Sequence, residues 1–361
     1  MEQVIRIRLG ELKAFVESRL FQSLDVKPIS FQRALSYVHN PNGKPEDAVL
    51  YMFIQGETLA AFRTVWAGKL KNDNREFRFG WCSGSWVAPA FRGKGMSVRL
   101  LREAYADWHQ KLIFTNYSPG GQSANLSSGL FVPLYTHKGI RAYFLSAFPA
   151  ILARRGTRGF LLHVAKVLAS ILGSFWKLIG SFSSTVSPAG YTFEVLNTPD
   201  QECLTIADSI SETTIFGRGS AELEWIFRYP WVTSDPLVPD FSYPFSSYSG
   251  EFSLKVVKIK ENSMTTGFFI FSEREGHLKS HHFYLSSRDF LAAAFWIRAY
   301  CGKNQPDFVT ILHPEISREV RKHWFPFFYV KGYGQTIYST FHMSLSADQA
   351  IQDGDGDYIF T

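Results

Sequence analysis

The sequence predicts an α/β chain of two similar domains, each a central mixed sheet flanked by helices. Three observations lead there. Residues 87–97 place a glycine-containing turn between a strand-like apolar run and an amphipathic helix. The segments before that turn read as a hairpin, so antiparallel pairs and a parallel strand–helix–strand crossover share one sheet. The same order of elements returns after residue 189, by element type rather than by residue identity. At 361 residues the chain also exceeds one typical domain.

In chain order, Val4–Arg8 alternates and reads as a strand, and Glu11–Leu24 reads as a helix. Val49–Gln55 and Thr58–Trp66 flank Gly56-Glu57 as the two arms of a hairpin. Phe77–Val87 is a third strand, with Phe77, Phe79 and Trp81 alternating; its Ser83-Gly84-Ser85 suits a bulge or a kink. A helix over 94–110 gathers Met96, Leu100, Leu101, Ala104, Tyr105 and Trp108 on one face, and Leu112–Asn116 returns as a strand.

The turn has the chemistry of a phosphate cradle. Pro89 cannot extend the ladder and opens the turn. Gly93 and Gly95 permit backbone angles closed to other residues, and Arg92 and Lys94 add positive charge. From Lys94 the helix begins, and its first amides and its dipole favour an anion. The chain contains no Gly-x4-Gly-Lys-Ser/Thr, and the third glycine of a dinucleotide fingerprint is Val98 here. The stretch Arg92-Gly93-Lys94-Gly95-Met96-Ser97, with Val87, Pro89 and Phe91 before it, resembles the pyrophosphate loop of the GNAT acyltransferase superfamily. Ser97 replaces the usual Gly or Ala.

The resemblance implies a GNAT (N-acetyltransferase) fold, with acetyl-CoA as co-substrate. Its pyrophosphate would lie on 92–97 and its pantetheine against the backbone of Trp86 and Val87, where two strands splay apart. Leu134-Tyr135-Thr136-His137-Lys138-Gly139 resembles the superfamily's Tyr-x-x-x-Gly segment at the end of a helix, so Tyr135 becomes the candidate proton donor to the departing thiolate. Pro133 departs from that pattern. Asn125 either contacts the pantetheine arm or caps a helix. The strand before the loop carries no Asp or Glu over Phe79–Trp86, which leaves the base to a water chain, His137, His109 or the second half, or to none at all where proximity dominates the rate. Apolar flanks mark Cys82 as a buried thiol.

Phe160–Phe182 is broadly apolar, with His163, Lys166, Ser170, Ser174, Lys177 and Ser181 in one narrow stripe. Two readings stay open: a helix buried between the halves, stripe outward, or an interfacial helix in peripheral contact with a membrane. Ser181–Pro188 reads as a linker. The expected organisation is therefore 1–147 as the acetyl-CoA-binding domain, 148–188 as apolar helix and linker, 189–345 as a degenerate copy, and 346–361 as a flexible acidic tail.

In the second half, the loop equivalent to 92–97 is Ser286-Ser287-Arg288-Asp289-Phe290, without glycine and with an acid in the phosphate position. It predicts no coenzyme A there. Most of the aromatics Trp225, Tyr229, Trp231, Tyr243 and Tyr248 are expected in the core, with a sugar or peptide cleft as the alternative. The first domain is one strand short of the fold, and the second half is expected to lend it. No metal is expected: His281 and His282 point to opposite faces of a strand, and Asp353-Gly354-Asp355-Gly356-Asp357 lacks the last ligand of a calcium loop.

Composition bounds the function. A net charge of +6 favours an anionic ligand or surface without specifying it, and the lack of any Lys/Arg block with interleaved aromatics argues against nucleic acid. Three scattered cysteines and an N-terminus without signal-peptide architecture predict a cytoplasmic protein. The expected activity is acyl transfer from acetyl-CoA to an amine of a small molecule or amino sugar. The alternatives are a non-catalytic coenzyme A-binding or membrane-associated module and a Fem-type aminoacyl transferase.

Overall fold

The computed structural model describes residues 4–360, except 57, 73–74, 116–118, 155, 157, 184–186, 236–241, 324 and 344–350. In chain order its elements are β1 (Ile5–Arg8), α1 (Leu9–Val16), α2 (Arg19–Ser23), α3 (Phe31–Val38), β2 (Ala48–Gln55), β3 (Thr58–Asn72), β4 (Arg75–Val87), α4 (Met96–Asp107), β5 (Leu112–Thr115), α5 (Pro119–Leu126) and β6 (Val132–Tyr143). There follow α6 (Phe148–Arg154), α7 (Phe160–Ser183), β7 (Tyr191–Leu196), α8 (Gln201–Ser211), α9 (Ser220–Arg228), β8 (Phe252–Glu261), β9 (Met264–Arg274), β10 (His277–Tyr284), α10 (Phe290–Asn304), β11 (Phe308–Ile311), α11 (Pro314–Lys322) and β12 (Tyr329–Ser339).

Two compact units result, and they are not the contiguous halves expected. The first comprises Met1–Thr136, Ala207–Gly250 and Gln335–Thr361; the second comprises His137–Ile206 and Glu251–Gly334. In the first unit β1, β2, β3 and β4 pair antiparallel in sequence order, and β4 then pairs parallel with β5. Its closing strand is the end of β12, with Ile337, Tyr338 and Ser339 opposite Thr115, Phe114 and Ile113. In the second unit β7, β8, β9 and β10 repeat the antiparallel series, β10 pairs parallel with β11, and β6 closes the edge. Each unit thus takes its last strand from the other half of the chain, and the missing strand of the first domain is indeed lent by the second half.

Side-chain character explains the layers. In the first unit Leu100, Leu101 and Ala104 of α4 pack on Ala61 and Val65 of β3 and on Cys82 of β4. Gly80 of β4 is there for space: a Cβ would fall 2.5 Å from Val65 Cγ1 and 2.8 Å from the Trp108 ring. In the second unit Ala292, Ala293 and Trp296 of α10 cover Phe269, Phe271 and Leu278.

Several expectations change. Tyr135 and Gly139 lie on strand β6, not at a helix end. Pro133 disfavours a helix there, and Gly139 is required by the sheet, since a Cβ would stand 1.9 Å from Ile311 O. One strand, β12, replaces the two expected near 327–331 and 335–343. Within the expected tail, residues 351–360 are not loose: Asp353, Asp355, Tyr358, Ile359 and Phe360 are buried in the first unit; 346–350 and 361 lie outside the described residues. The aromatics Trp225, Trp231 and Tyr243 are core, as expected, rather than cleft, and Phe360 stacks on Trp231 at 4.4 Å. Helix α7 forms as expected but is not buried: Phe160, Leu161 and Ile171 are 79%, 69% and 62% exposed. Within the expected linker, 184–186 lie outside the described residues.

Candidate active site

The site grows from the end of β4. Arg63 of β3 faces Ser85, but Val65 faces Cys82, so one extra residue is inserted in Ser83-Gly84-Ser85. This is the bulge the sequence suggested. It sends Ser83 and Ser85, which would share a face in a regular strand, to partners on opposite faces. Among the described residues β4 meets β5 at only two pairs, Gly80 with Leu112 and Trp81 with Ile113. Beyond them no described strand pairs with the β5-side edge of β4 through Trp86 and Val87, and Val87 O accepts instead from the Arg92 side chain.

A short 3-10 turn over Pro89–Phe91 leads into the glycine loop. Gly93 and Gly95 have φ of 78° and 73°, and a Cβ on either would meet nothing within 4 Å. These glycines serve the left-handed backbone and keep the loop clear. Gly95 is the N-cap of α4, and no side chain caps that helix. The first amides of α4 are therefore offered to a ligand, as anion binding requires. A cavity of about 190 Å³ lies here, lined by Val87, Arg92, Gly93, Gly95, Ser97 and Ala124 among others. Arg92 and Lys94 are exposed; Arg92 Nε donates to Val87 O at 3.3 Å, and Lys94 lies over the Phe91 ring. The side chain of Met96 is buried in the core, so only its backbone amide faces the loop.

Ser97 and Asn125 turn inward. Asn125 lies in the last turn of α5, not at a helix start, and its Oδ1 accepts from Arg63 Nη2 at 2.9 Å. Ser97 Oγ stands 3.3 Å from Arg63 Nη2 and 3.3 Å from Ser85 Oγ. A serine where the loop pattern has Gly or Ala thus places a hydroxyl within hydrogen-bond reach of a buried arginine. Arg63 is fully buried, and burial pulls its guanidinium pKa down. It ties β3, β4, α4 and α5 together. Sequence reading missed it, although Arg63 is the one charged residue within Thr58–Trp66.

The other face of the bulge holds a carboxylate that β4 itself lacks. Ser83 Oγ accepts from Arg33 Nη1 at 2.7 Å and donates to Asp357 Oδ2 at 2.5 Å. Trp66 Nε1 donates to Asp357 Oδ1 at 2.9 Å. Burial raises the Asp357 pKa, against the lowering influence of Arg33, Ser83, Trp66 and Arg218. Asp355 two residues earlier is fixed by Arg218, Nε to Oδ1 3.0 Å. Asp357 is thus held by Ser83 and Trp66 and Asp355 by Arg218; among the described residues no group of three or more His, Cys, Asp or Glu is placed to hold an ion. Asp353 lies near enough to Tyr135 to help burial raise the pKa of its phenol.

The remaining candidates separate. His109 sits past the far end of α4, a helix of twelve residues. His137 is buried in the second unit. Cys82 is buried, and burial pushes its thiol up to about 11. At the start of α10, Asp289 is itself fully buried and accepts hydrogen bonds from Ser286, Tyr191 and Thr266 at 2.7, 3.3 and 3.1 Å. That helix start is filled by its own acid.

No family model and no curated protein matches the sequence. Solved structures do. A GCN5-related N-acetyltransferase from Anabaena variabilis superposes with a TM-score of 0.50 at 11% identity, over 94% of this chain and 72% of that one. A probable N-acyltransferase of unknown function from Enterococcus faecalis gives a TM-score of 0.50 at 9% identity, with the same coverage. The chain has the GNAT fold. At such identities the likeness is one of fold.

Proposed function

We propose that this protein is an N-acyltransferase that takes its acyl group from acetyl-CoA, or a related acyl-coenzyme A, and passes it to an amine of a small molecule or amino sugar. The observation that carries the reading is the glycine loop at the uncapped start of α4, open to ligand at the end of a splayed, bulged strand. The donor, when bound, supplies an acyl thioester reactive toward amines. The amides of α4 and the cations Arg92 and Lys94 hold its pyrophosphate. The β5-side edge of β4 at Trp86 and Val87 pairs with the pantetheine amides, and Arg63 keeps Asn125 and Ser97 in place beside it.

Asp357 is the proton acceptor in this account. Burial raises its pKa, which makes it a stronger base than an ordinary carboxylate. Tyr135, whose pKa is raised, keeps its proton at neutral pH and donates it to the leaving thiolate. The test is thiol release from acetyl-CoA across a panel of small amines and amino sugars. Amine-dependent release supports the reading; tight donor binding with no amine accelerating release would reduce the protein to a coenzyme A-binding module.

A further inference from the structure

Helix α7 presents three faces in its first fifteen residues. Ala165 and Ala169 are buried at 7% each, and α7 packs on α6 and α10. Lys166, Ser170, His163 and Ser174 form an exposed polar face. Between these two faces, helical periodicity aligns Phe160, Leu161, Val167, Leu168, Ile171 and Leu172, all 44–79% exposed. On the two helices against which α7 packs, Phe148 of α6 and Leu291 of α10 are also exposed. Solvated monomers rarely keep so many large apolar side chains together in water.

Charge selects the occupant. From residue 108 to residue 193 the chain has no Asp or Glu, although it carries 32 elsewhere. The same stretch places Arg154, Arg155, Arg158, Lys166 and Lys177 before and within α7. A second copy of this face would bring cation against cation. No described helix is long and apolar enough to cross a membrane. We propose that α7 lies on an anionic lipid surface, its apolar face among the acyl chains and its flanking cations among the headgroups. This inference stands independently of acyl transfer.

The test is co-sedimentation of the full chain with phosphatidylglycerol-rich vesicles and with phosphatidylcholine vesicles. Binding to the anionic vesicles is expected to be at least about tenfold tighter at low salt and to weaken as salt rises. Leu168→Asp with Ile171→Asp should abolish it while leaving the melting temperature and acetyl-CoA affinity unchanged, because both positions are exposed. Wild-type protein that ignores anionic vesicles, or a double variant that binds them equally, overturns the proposal. So does a wild-type dimer, seen by light scattering, that the double variant dissolves while vesicles capture neither protein.

Discussion

At position 357 an aspartate sits among aromatic rings and arginines, and that setting fixes how it titrates. Its folded pKa lies above the ordinary 3.8, because burial outweighs the lowering influence of Arg33, Ser83, Trp66 and Arg218. The protonated form is thus favoured by folding. The stability this group contributes is complete below pH 3.8 and is lost as pH rises through the folded value. Activity must run the other way, appearing as Asp357 loses its proton. Asp357→Asn is therefore expected to keep the melting temperature at neutral pH while lowering turnover by about 10²–10⁴-fold and removing the acid limb of the pH profile. Turnover left intact, with the limb in place, would assign the base elsewhere. Sequence reading did not find this residue. Asp357 reaches Trp66 across 291 positions of chain, and no local pattern encodes a contact of that span. The local signal was the apolar run Tyr358-Ile359-Phe360 directly after it, whose side chains call for burial.

Among the elements, what was legible was local. The hairpin β2–β3, the strand β4 and the amphipathic face of α4 follow from spacing within a dozen residues; the structure has all three, with β3 running on to Asn72 and β4 burying Phe79, Gly80, Trp81 and Cys82 in a row rather than alternately. The loop was legible for the same reason, since Gly93 and Gly95 are needed for backbone angles set by their immediate neighbours. Tyr135 misled because its helical context came from resemblance, against Pro133; the strand it occupies is fixed by partners far along the chain. The packing of α4 on β4 makes a stability prediction. Gly80→Ala places a Cβ against Val65, Trp108 and Leu112, and is expected to cost about 1–3 kcal/mol by urea unfolding, with the α4 end of the sheet loosened. An unchanged unfolding midpoint would mean that Trp108 does not pack as described.

For the whole molecule, the exchange of closing strands ties the two halves into one folding problem. β12 completes the first unit and β6 the second, while 207–250 and the C-terminal segment add Trp225, Trp231 and Phe360 to the first unit's core. A fragment of residues 1–147 retains the loop yet lacks those aromatics, the partner of β5 and Asp357. It is expected to aggregate through its bare β5 edge, and co-expression of 148–361 should rescue it. A soluble 1–147 that binds acetyl-CoA would show that the first half is self-sufficient. The repeated order of elements was readable in sequence, but the exchange was only partly so. A missing strand can be counted, whereas its donor depends on where residues two hundred positions away arrive.

The central claim is that the uncapped, glycine-opened start of α4 holds a pyrophosphate. Calorimetric titration of acetyl-CoA into wild type and Gly95→Asp, with desulfo-coenzyme A in parallel, tests it most directly. The aspartate adds an anion where the phosphates would lie, and at φ 73° that position tolerates Asp better than most residues, with nothing within 4 Å of its Cβ. Binding of both ligands by wild type, weakened by about 100-fold or more in the variant, is the predicted result, as expected for an anion set against the helix amides and flanking cations. No binding to wild type, or equal binding to both proteins, would leave the loop a structural turn and contradict the account.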